Sequence, residues 1–193
     1  DIIGKMPFLF LPKLSATNCW YHFKKLNSVI LNYDESSDNF LKWYQQLVAE
    51  SLGKKGNGVL PIISSMPKDN HSLMQLYLDG QKSNFYTFFY TQEKFSQKIN
   101  SSIIPEDVGF LKKKSLGNIL SSQITATQNV FKKKNIPFRS FVIKNRSEET
   151  LGGLFSFFII ETILIAKALR INPYDQPAVE LIKKETKKIL LNT

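Results

Sequence analysis

The sequence predicts an α/β fold, a three-layer sandwich in which a mainly parallel sheet lies between two layers of helices. Short apolar runs alternate with segments of helical periodicity along the 193 residues, and Gly or Pro separates most of them. A repeated order of strand, crossover helix and strand is typical of a parallel sheet covered on both faces. The length, with 42% hydrophobic and 22% charged residues, fits one globular domain with a single core.

The first half of the chain is predicted to contain two strands and two helices. Residues 7–12 form an apolar run bounded by prolines and residues 59–63 form a second apolar run, so both are predicted strands. In residues 39–52 apolar side chains recur at helical spacing, and Gly53 follows as a stop signal. Residues 71–78 are predicted to form the second helix.

The second half continues the alternation and ends in a helix. Strands are predicted at residues 85–90 and 138–143, and helices at residues 116–133 and 148–169. The last helix is predicted to start at Asp175, which can serve as its N-cap, with Pro177 in the first turn. In this architecture ligands gather at the carboxyl ends of the strands, so we expect the candidate sites to lie at that edge.

The formal charge of +10 comes from 26 basic residues, of which 23 are lysines and only three are arginines. The lysines fall in scattered short runs, which on helices are usually solvated faces. Base and phosphate recognition favours the arginine fork. The composition therefore argues against nucleic acid as a partner, while a basic interaction protein stays open as an alternative.

Cysteine content and hydropathy indicate the cellular compartment of the protein. Cys19 is the single cysteine and cannot form an intramolecular disulfide, which fits a reducing cytoplasm. The most apolar stretch, residues 154–166, contains polar residues and is shorter than the roughly 20 apolar residues of a bilayer-spanning helix. We expect it to form a core helix, and we expect neither a membrane partner nor a signal peptide.

The helix at residues 39–52 carries an amide and an acid on one face. Gln46 and Glu50, together with Trp43, fall in a narrow sector opposite the apolar stripe. On periodicity alone, a glutamate on such a face is most often simply solvated. Trp43 indicates instead that the face is covered, and a partly desolvated Glu50 would suit a general base.

His71 is one of two histidines and lies where a polar loop enters a predicted helix. On position alone it fits either a surface histidine or an acid/base group. His22, between Tyr21 and Phe23, has no acidic or histidine partner at ligand spacing and is predicted to be structural. No metal-ligand spacing, serine nucleophile elbow or dinucleotide-binding glycine pattern is found, so no metal or cofactor is predicted.

In the last helix, Gln176, Glu180 and Lys183 lie at positions i, i+4 and i+7 and form one stripe. The stripe fits a charged outer face with a Glu180–Lys183 surface pair. The solvated face is the more common arrangement, and the alternative is an amide and an ammonium group that share a site.

Three segments resemble glucose-6-phosphate isomerase, most closely its shorter bacterial form. Residues 46–54 read Gln-Leu-Val-Ala-Glu-Ser-Leu-Gly-Lys and match the family's Gln-Leu-x-x-Glu-Ser-x-Gly-Lys segment. Residues 69–76, Asp-Asn-His-Ser-Leu-Met-Gln-Leu, are similar to the family's histidine segment. Residues 172–183 are similar to the carboxyl-terminal signature, in which an aromatic-Asp-Gln core precedes a catalytic lysine by seven residues.

The resemblance implies a sugar-isomerase (SIS) fold of flavodoxin-like type and a cytoplasmic aldose-ketose isomerase of glycolysis and gluconeogenesis. Glucose 6-phosphate and fructose 6-phosphate would interconvert through a cis-enediolate, with Glu50 as the base at C2. His71 and Lys183 would transfer protons at the ring oxygen and the C1 hydroxyl, and Gln46 and Gln176 would line the sugar site. The resemblance also implies that no cofactor is needed and that a homodimer forms in which His71 completes the partner's site.

Two elements of the family do not occur in the sequence. They are the Ser/Thr-rich phosphate-binding loop of an amino-terminal SIS domain and the arginine of a Gly-Gly-Arg segment, a context that Arg139, Arg146 and Arg170 all lack. The match runs from about Phe8 to the carboxyl end. We therefore expect residues 1–193 to be a carboxyl-terminal SIS-type domain that is nearly inactive alone. The alternative is a non-catalytic sugar-phosphate-binding module on the same fold.

Overall fold

A computed structural model describes residues 27–92 and 96–192. The strand predicted at residues 7–12, Cys19 and His22 lie outside the described residues. Short 3₁₀ helices occupy Glu35–Ser37, Ser101–Ile103 and Glu106–Leu111. The strands and α-helices follow in the order β1 (Asn27–Asn32), α1 (Asp38–Leu52), β2 (Leu60–Ser65), α2 (Asp69–Ser72), α3 (Met74–Asp79), β3 (Asn84–Thr91), α4 (Leu116–Lys133), β4 (Phe138–Ile143), α5 (Glu148–Leu169) and α6 (Pro177–Leu191).

The four strands form one parallel sheet in the order β2-β1-β3-β4. This is the strand order of flavodoxin-like doubly wound folds, in which neighbouring β1 and β3 send their connections in opposite directions. Helices cover both faces of the sheet, so the predicted three-layer architecture is confirmed.

Each face of the sheet has its own hydrophobic core. Along β1, Ile30 points to one face whereas Val29 and Leu31 belong to the other, as the two-residue period of a strand requires. Ile30 packs with α1 and α5 around Phe158. Val29 and Leu31 pack with α3 and α4 around Phe131.

Helix α5 is joined to the sheet by a buried ion pair. Arg139 of β4 donates to both carboxylate oxygens of Glu161, and its Nε donates to Thr87 Oγ1 of β3 at 2.9 Å. Only 5% of the Glu161 side chain is exposed. By length and composition alone, α5 could cross a bilayer, with 22 residues and a mean hydropathy of 1.8. Its buried side, around Phe158, packs on α1, β3 and β4, while 28% of its apolar stretch is buried in the described chain, so the predicted core helix is buried on one side only.

Three sequence predictions differ from the structure. Strand β1, the second strand of the sheet and flanked on both sides, was not predicted. The single helix predicted at residues 71–78 is two short helices, α2 and α3, which meet at Leu73. The N-cap of α6 is Gln176 rather than Asp175, because the Asp175 carboxylate pairs with Lys54 instead of capping the helix.

Candidate active site

The predicted site residues lie at two opposite edges of the sheet. Helix α1 runs back from the carboxyl end of β1, and Gln45 Nε2, in the middle of the helix, donates to the carbonyl of Pro61, the second residue of β2, at 2.9 Å. Glu50, more than one turn further along α1, therefore lies at the amino edge. Helix α2 with His71 follows the carboxyl end of β2, where Ser65 N donates to Asp69 Oδ2 at 2.8 Å. The expectation that all candidate sites share the carboxyl edge is therefore wrong for Glu50.

Two amides hold the Glu50 carboxylate. Gln46 Nε2, one turn earlier in α1, donates to Glu50 Oε1 at 2.9 Å. Gln176 Nε2, at the start of α6, donates to Glu50 Oε2 at 2.7 Å. Glu50 itself is half-buried. The arrangement fixes the direction of a carboxylate whose remaining lone pairs can accept a proton.

Trp43 lies at the margin of the core rather than on an open face. Its ring lies 5.7 Å from Phe40 within α1 and 4.3 Å from Phe155 of α5, centroid to centroid. Helix α5 thus covers this part of α1, as the tryptophan indicated, whereas Gln46 one turn further is exposed.

Lys54 joins the end of α1 to the loop that carries Gln176. Its side chain is 7% exposed, its Nζ donates to the carbonyl of Asn172 at 2.6 Å, and it lies 3.0 Å from Asp175 Oδ1. The hydrogen bond from Lys54 lowers the pKa of Asp175 below its usual 3.8. Because Gln176 is the next residue, this contact places its amide on Glu50. Sequence reasoning did not single out Lys54, although it ends the first family-like segment.

A cavity of about 390 Å³ opens beside these groups. Its walls come from the end of α1, the loop after α5 and the first turn of α6, and they include Glu50, Lys54, Asp175 and Gln176. The volume lies within the range of about 300–1,000 Å³ that is typical of small-molecule sites.

Lys183 and His71 do not join this group in the described chain. Lys183 Nζ pairs with Glu180 Oε1 at 2.7 Å on the exposed surface of α6, two turns or about 10 Å from Gln176. His71 is exposed on α2. The six-residue strand β2 lies between the two edges and spans about 20 Å, so His71 cannot reach Glu50 within one chain.

Most of the chain is similar in sequence to known proteins. No family model matches it. It is 35% identical over 158 residues to the glucose-6-phosphate isomerase of Methanocaldococcus jannaschii, covering 81% of this chain and 39% of that protein. It is 34% identical over 165 residues to the glucose-6-phosphate isomerase of Mycoplasmopsis pulmonis, covering 84% of this chain and 39% of that protein.

A solved structure has the same fold. The crystal structure of a hypothetical protein from Thermus thermophilus superimposes with a TM-score of 0.87 at 24% identity, covering 98% of this chain and 47% of that one.

The sheet order and the amide-held glutamate define a doubly wound α/β domain with a carboxylate site at its amino edge. The chain is homologous, over most of its length, to part of the glucose-6-phosphate isomerases, as its three motifs predicted. It spans about two fifths of the length of the curated relatives it matches.

Proposed function

We propose that this chain is the carboxyl-terminal, SIS-type catalytic half of a cytoplasmic enzyme that interconverts glucose 6-phosphate and fructose 6-phosphate. Its similarity to isomerases over 81% of its length supports the reaction class. An amino-terminal domain would supply the phosphate-binding loop and the arginine that this sequence does not contain.

The observation that carries the proposal is the pair of amides on Glu50. Gln46 and Gln176 are 130 residues apart in sequence, yet each donates to a different oxygen of the same carboxylate. These three residues come from two separate family-like segments. A solvated surface glutamate needs no such arrangement, whereas a base must be held in one direction.

In the proposed reaction, Glu50 removes the proton from C2 of the open-chain sugar and returns it to C1, through a cis-enediolate. Gln46 and Gln176 orient the carboxylate and line the sugar site, which is the cavity beside them. Lys183 takes part in proton transfer during ring opening. It would turn from its exposed pair with Glu180 when the rest of the enzyme covers α6, whose residues are all exposed in this chain.

His71 is proposed to act in the site of a second copy within a homodimer. Its position at the opposite edge of the sheet from Glu50 supports this assignment, because one chain cannot bring the two side chains together. A two-fold dimer places the same two surfaces in contact twice, so each copy would give its histidine and receive one.

The test is a coupled isomerase assay on the complete enzyme with Glu50→Gln. Glutamine keeps the shape and cannot accept the C2 proton, so kcat is expected to fall by about 10²–10⁴. Glu185→Gln on the exposed face of α6 is the matched control and is expected to leave kcat unchanged. An active Glu50→Gln enzyme would refute the assignment of Glu50 as the base. A parent that does not interconvert the two sugar phosphates would refute the proposed reaction and favour a binding module.

A further inference from the structure

We propose that the carboxyl edge of the sheet holds a second binding site, which takes a neutral, hydroxyl-rich ligand such as an unphosphorylated sugar. A cavity of about 440 Å³ lies there, between the end of β1 at Tyr33 and Asp34 and the end of β3 at Tyr90 and Thr91. These neighbouring strands form the topological switch point, where doubly wound folds bind ligands. The site is separate from the amino-edge residues to which the isomerase reaction is assigned.

The far wall of the cavity is the first half of α4, which is held in place by the loop before it. Ser96 Oγ accepts a hydrogen bond from Gly117 N at 2.7 Å. A Cβ at Gly117 would lie 2.8 Å from that oxygen, so a larger residue there would displace the Ser96 side chain. This contact joins the start of α4 to the loop at the rim of the cavity.

The start of α4 has no N–H group to offer a phosphate. Its first four backbone amides already donate within the chain, to Gln97 O, Ser96 Oγ, Ser115 Oγ and Ser115 O. No lysine or arginine lines the cavity among the described residues, and its one carboxylate, Asp34, is paired with Arg146. Arg146 Nη2 also donates to Thr91 Oγ1 at the rim of the cavity at 3.3 Å, but its charge is balanced by the Asp34 carboxylate. A phosphate would therefore lose its hydration without meeting an unbalanced positive charge.

The side chains that face the cavity offer acceptor atoms. Ser121 Oγ donates to Asn118 O at 3.3 Å and Thr125 Oγ1 donates to Ser121 O at 2.8 Å. Gln128 donates through Nε2 to Ser140 Oγ at 3.2 Å. Each of these groups has used a donor and keeps oxygen lone pairs free. A ligand with several hydroxyl donors matches such a wall.

The rest of the cavity wall is apolar. Leu120, Ile124 and Val142 line the cavity together with the Tyr90 ring. A sugar ring presents C–H groups on its faces and hydroxyl groups at its rim, so it can pack on the apolar residues while it donates to the acceptors. The same combination of an apolar surface and a few placed polar groups is typical of small-molecule sites.

The experiment is a titration of the ¹⁵N-labelled chain with D-glucose, followed by ¹H–¹⁵N correlation spectra. Saturable shifts are expected in the amides of residues 115–128 and of Thr91. Ser121→Ala removes one acceptor and is compatible with a helix. We expect it to raise the Kd for D-glucose about fivefold. Ser122→Ala, the neighbour that does not line the cavity, is the matched control and keeps the wild-type Kd.

Several outcomes would overturn the proposal. They are the absence of saturable shifts with D-glucose, shifts confined to residues 49–55 and 172–179, and equal Kd values for the two serine variants. A parallel titration with inorganic phosphate tests the ligand class, because shifts at residues 115–128 with phosphate and not with glucose would show an anion site. None of these readouts depends on isomerase activity, so the two proposals fail independently.

Discussion

The two edges of the sheet are built from opposite chemistry. At the amino edge, the ionisable groups Glu50, Lys54 and Asp175 line one cavity, where Glu50 accepts hydrogen bonds from two side-chain amides and Lys54 pairs with Asp175. At the carboxyl edge, hydroxyl and amide side chains line the cavity, and the one carboxylate, Asp34, is already paired with Arg146. Proton transfer needs titratable groups, whereas recognition of a neutral ligand does not.

The comparison teaches that the usual position of a ligand in this fold does not locate the chemistry in this chain. Doubly wound sheets bind ligands at the carboxyl edge because their loops and helix starts gather there. Here the family-like glutamate is at the other edge, at the end of a helix. The loop before α6 reaches it there and brings Gln176.

The largest effect on stability is expected from Asp34→Asn at the carboxyl edge. Asp34 is 4% exposed and accepts hydrogen bonds from Ser37 Oγ at 2.6 Å and Arg146 Nη2 at 2.7 Å. Loss of a charged acceptor with such partners costs about 2 kcal/mol of the free energy of unfolding at pH 7, measured by urea denaturation. Asp79→Asn, which breaks an exposed pair with Lys134, is the control and should change stability much less.

The free energy of unfolding that is lost in Asp34→Asn should depend on pH in a defined direction. Burial raises the pKa of Asp34, but the hydrogen bonds from Arg146, Ser37 and Thr91 outweigh it and the net pKa lies below the usual 3.8. A lowered folded pKa gives stability that is present above the unfolded pKa of about 3.9 and lost as pH falls through the folded pKa. The difference between wild type and Asp34→Asn should therefore shrink below about pH 4. A difference that stays constant or grows on acidification would contradict this account.

A smaller effect is expected from Lys54→Met at the amino edge. The variant keeps the buried stem and loses the hydrogen bond to Asn172 O, which costs about 1 kcal/mol of the free energy of unfolding. The loop should also loosen, so the Gln176 side-chain amide signals should move toward the positions of a solvated glutamine in ¹⁵N spectra. Lys188→Met, in an exposed pair with Glu185, is the control and should alter neither. Unchanged Gln176 signals in Lys54→Met would show that the loop does not depend on this lysine.

Local sequence signals predicted the long elements well. Helices α4 and α5 and strand β4 have the predicted bounds, because long apolar patterns mark the helices and a short apolar run marks the strand. In the structure Ser115 and Ser147 cap α4 and α5. Strand β1 was not predicted, because only three of its six residues, Val29, Ile30 and Leu31, are apolar.

The side-chain arrangement at the two edges of the sheet could not be predicted from local signals, because it depends on contacts between segments that are distant in sequence. Spacing placed Gln46 and Glu50 on one face of α1, but only the fold brings Gln176 to Glu50. The same is true of Asp175, which its position marked as an N-cap and which a lysine 121 residues earlier holds away from that role. The carboxyl-edge cavity has no motif, since its polar atoms come from scattered serines, threonines and amides.

The most direct test of the account is a heterodimer of the complete enzyme with Glu50→Gln in one copy and His71→Ala in the other. The two copies carry different affinity tags, and the purified heterodimer is assayed beside both inactive homodimers. Because Glu50 and His71 lie at opposite edges of one chain, the account predicts one site with both residues intact and about half of the wild-type rate. A heterodimer as inactive as the two homodimers would show that Glu50 and His71 of the same chain form the site, and would contradict the separation of the two edges.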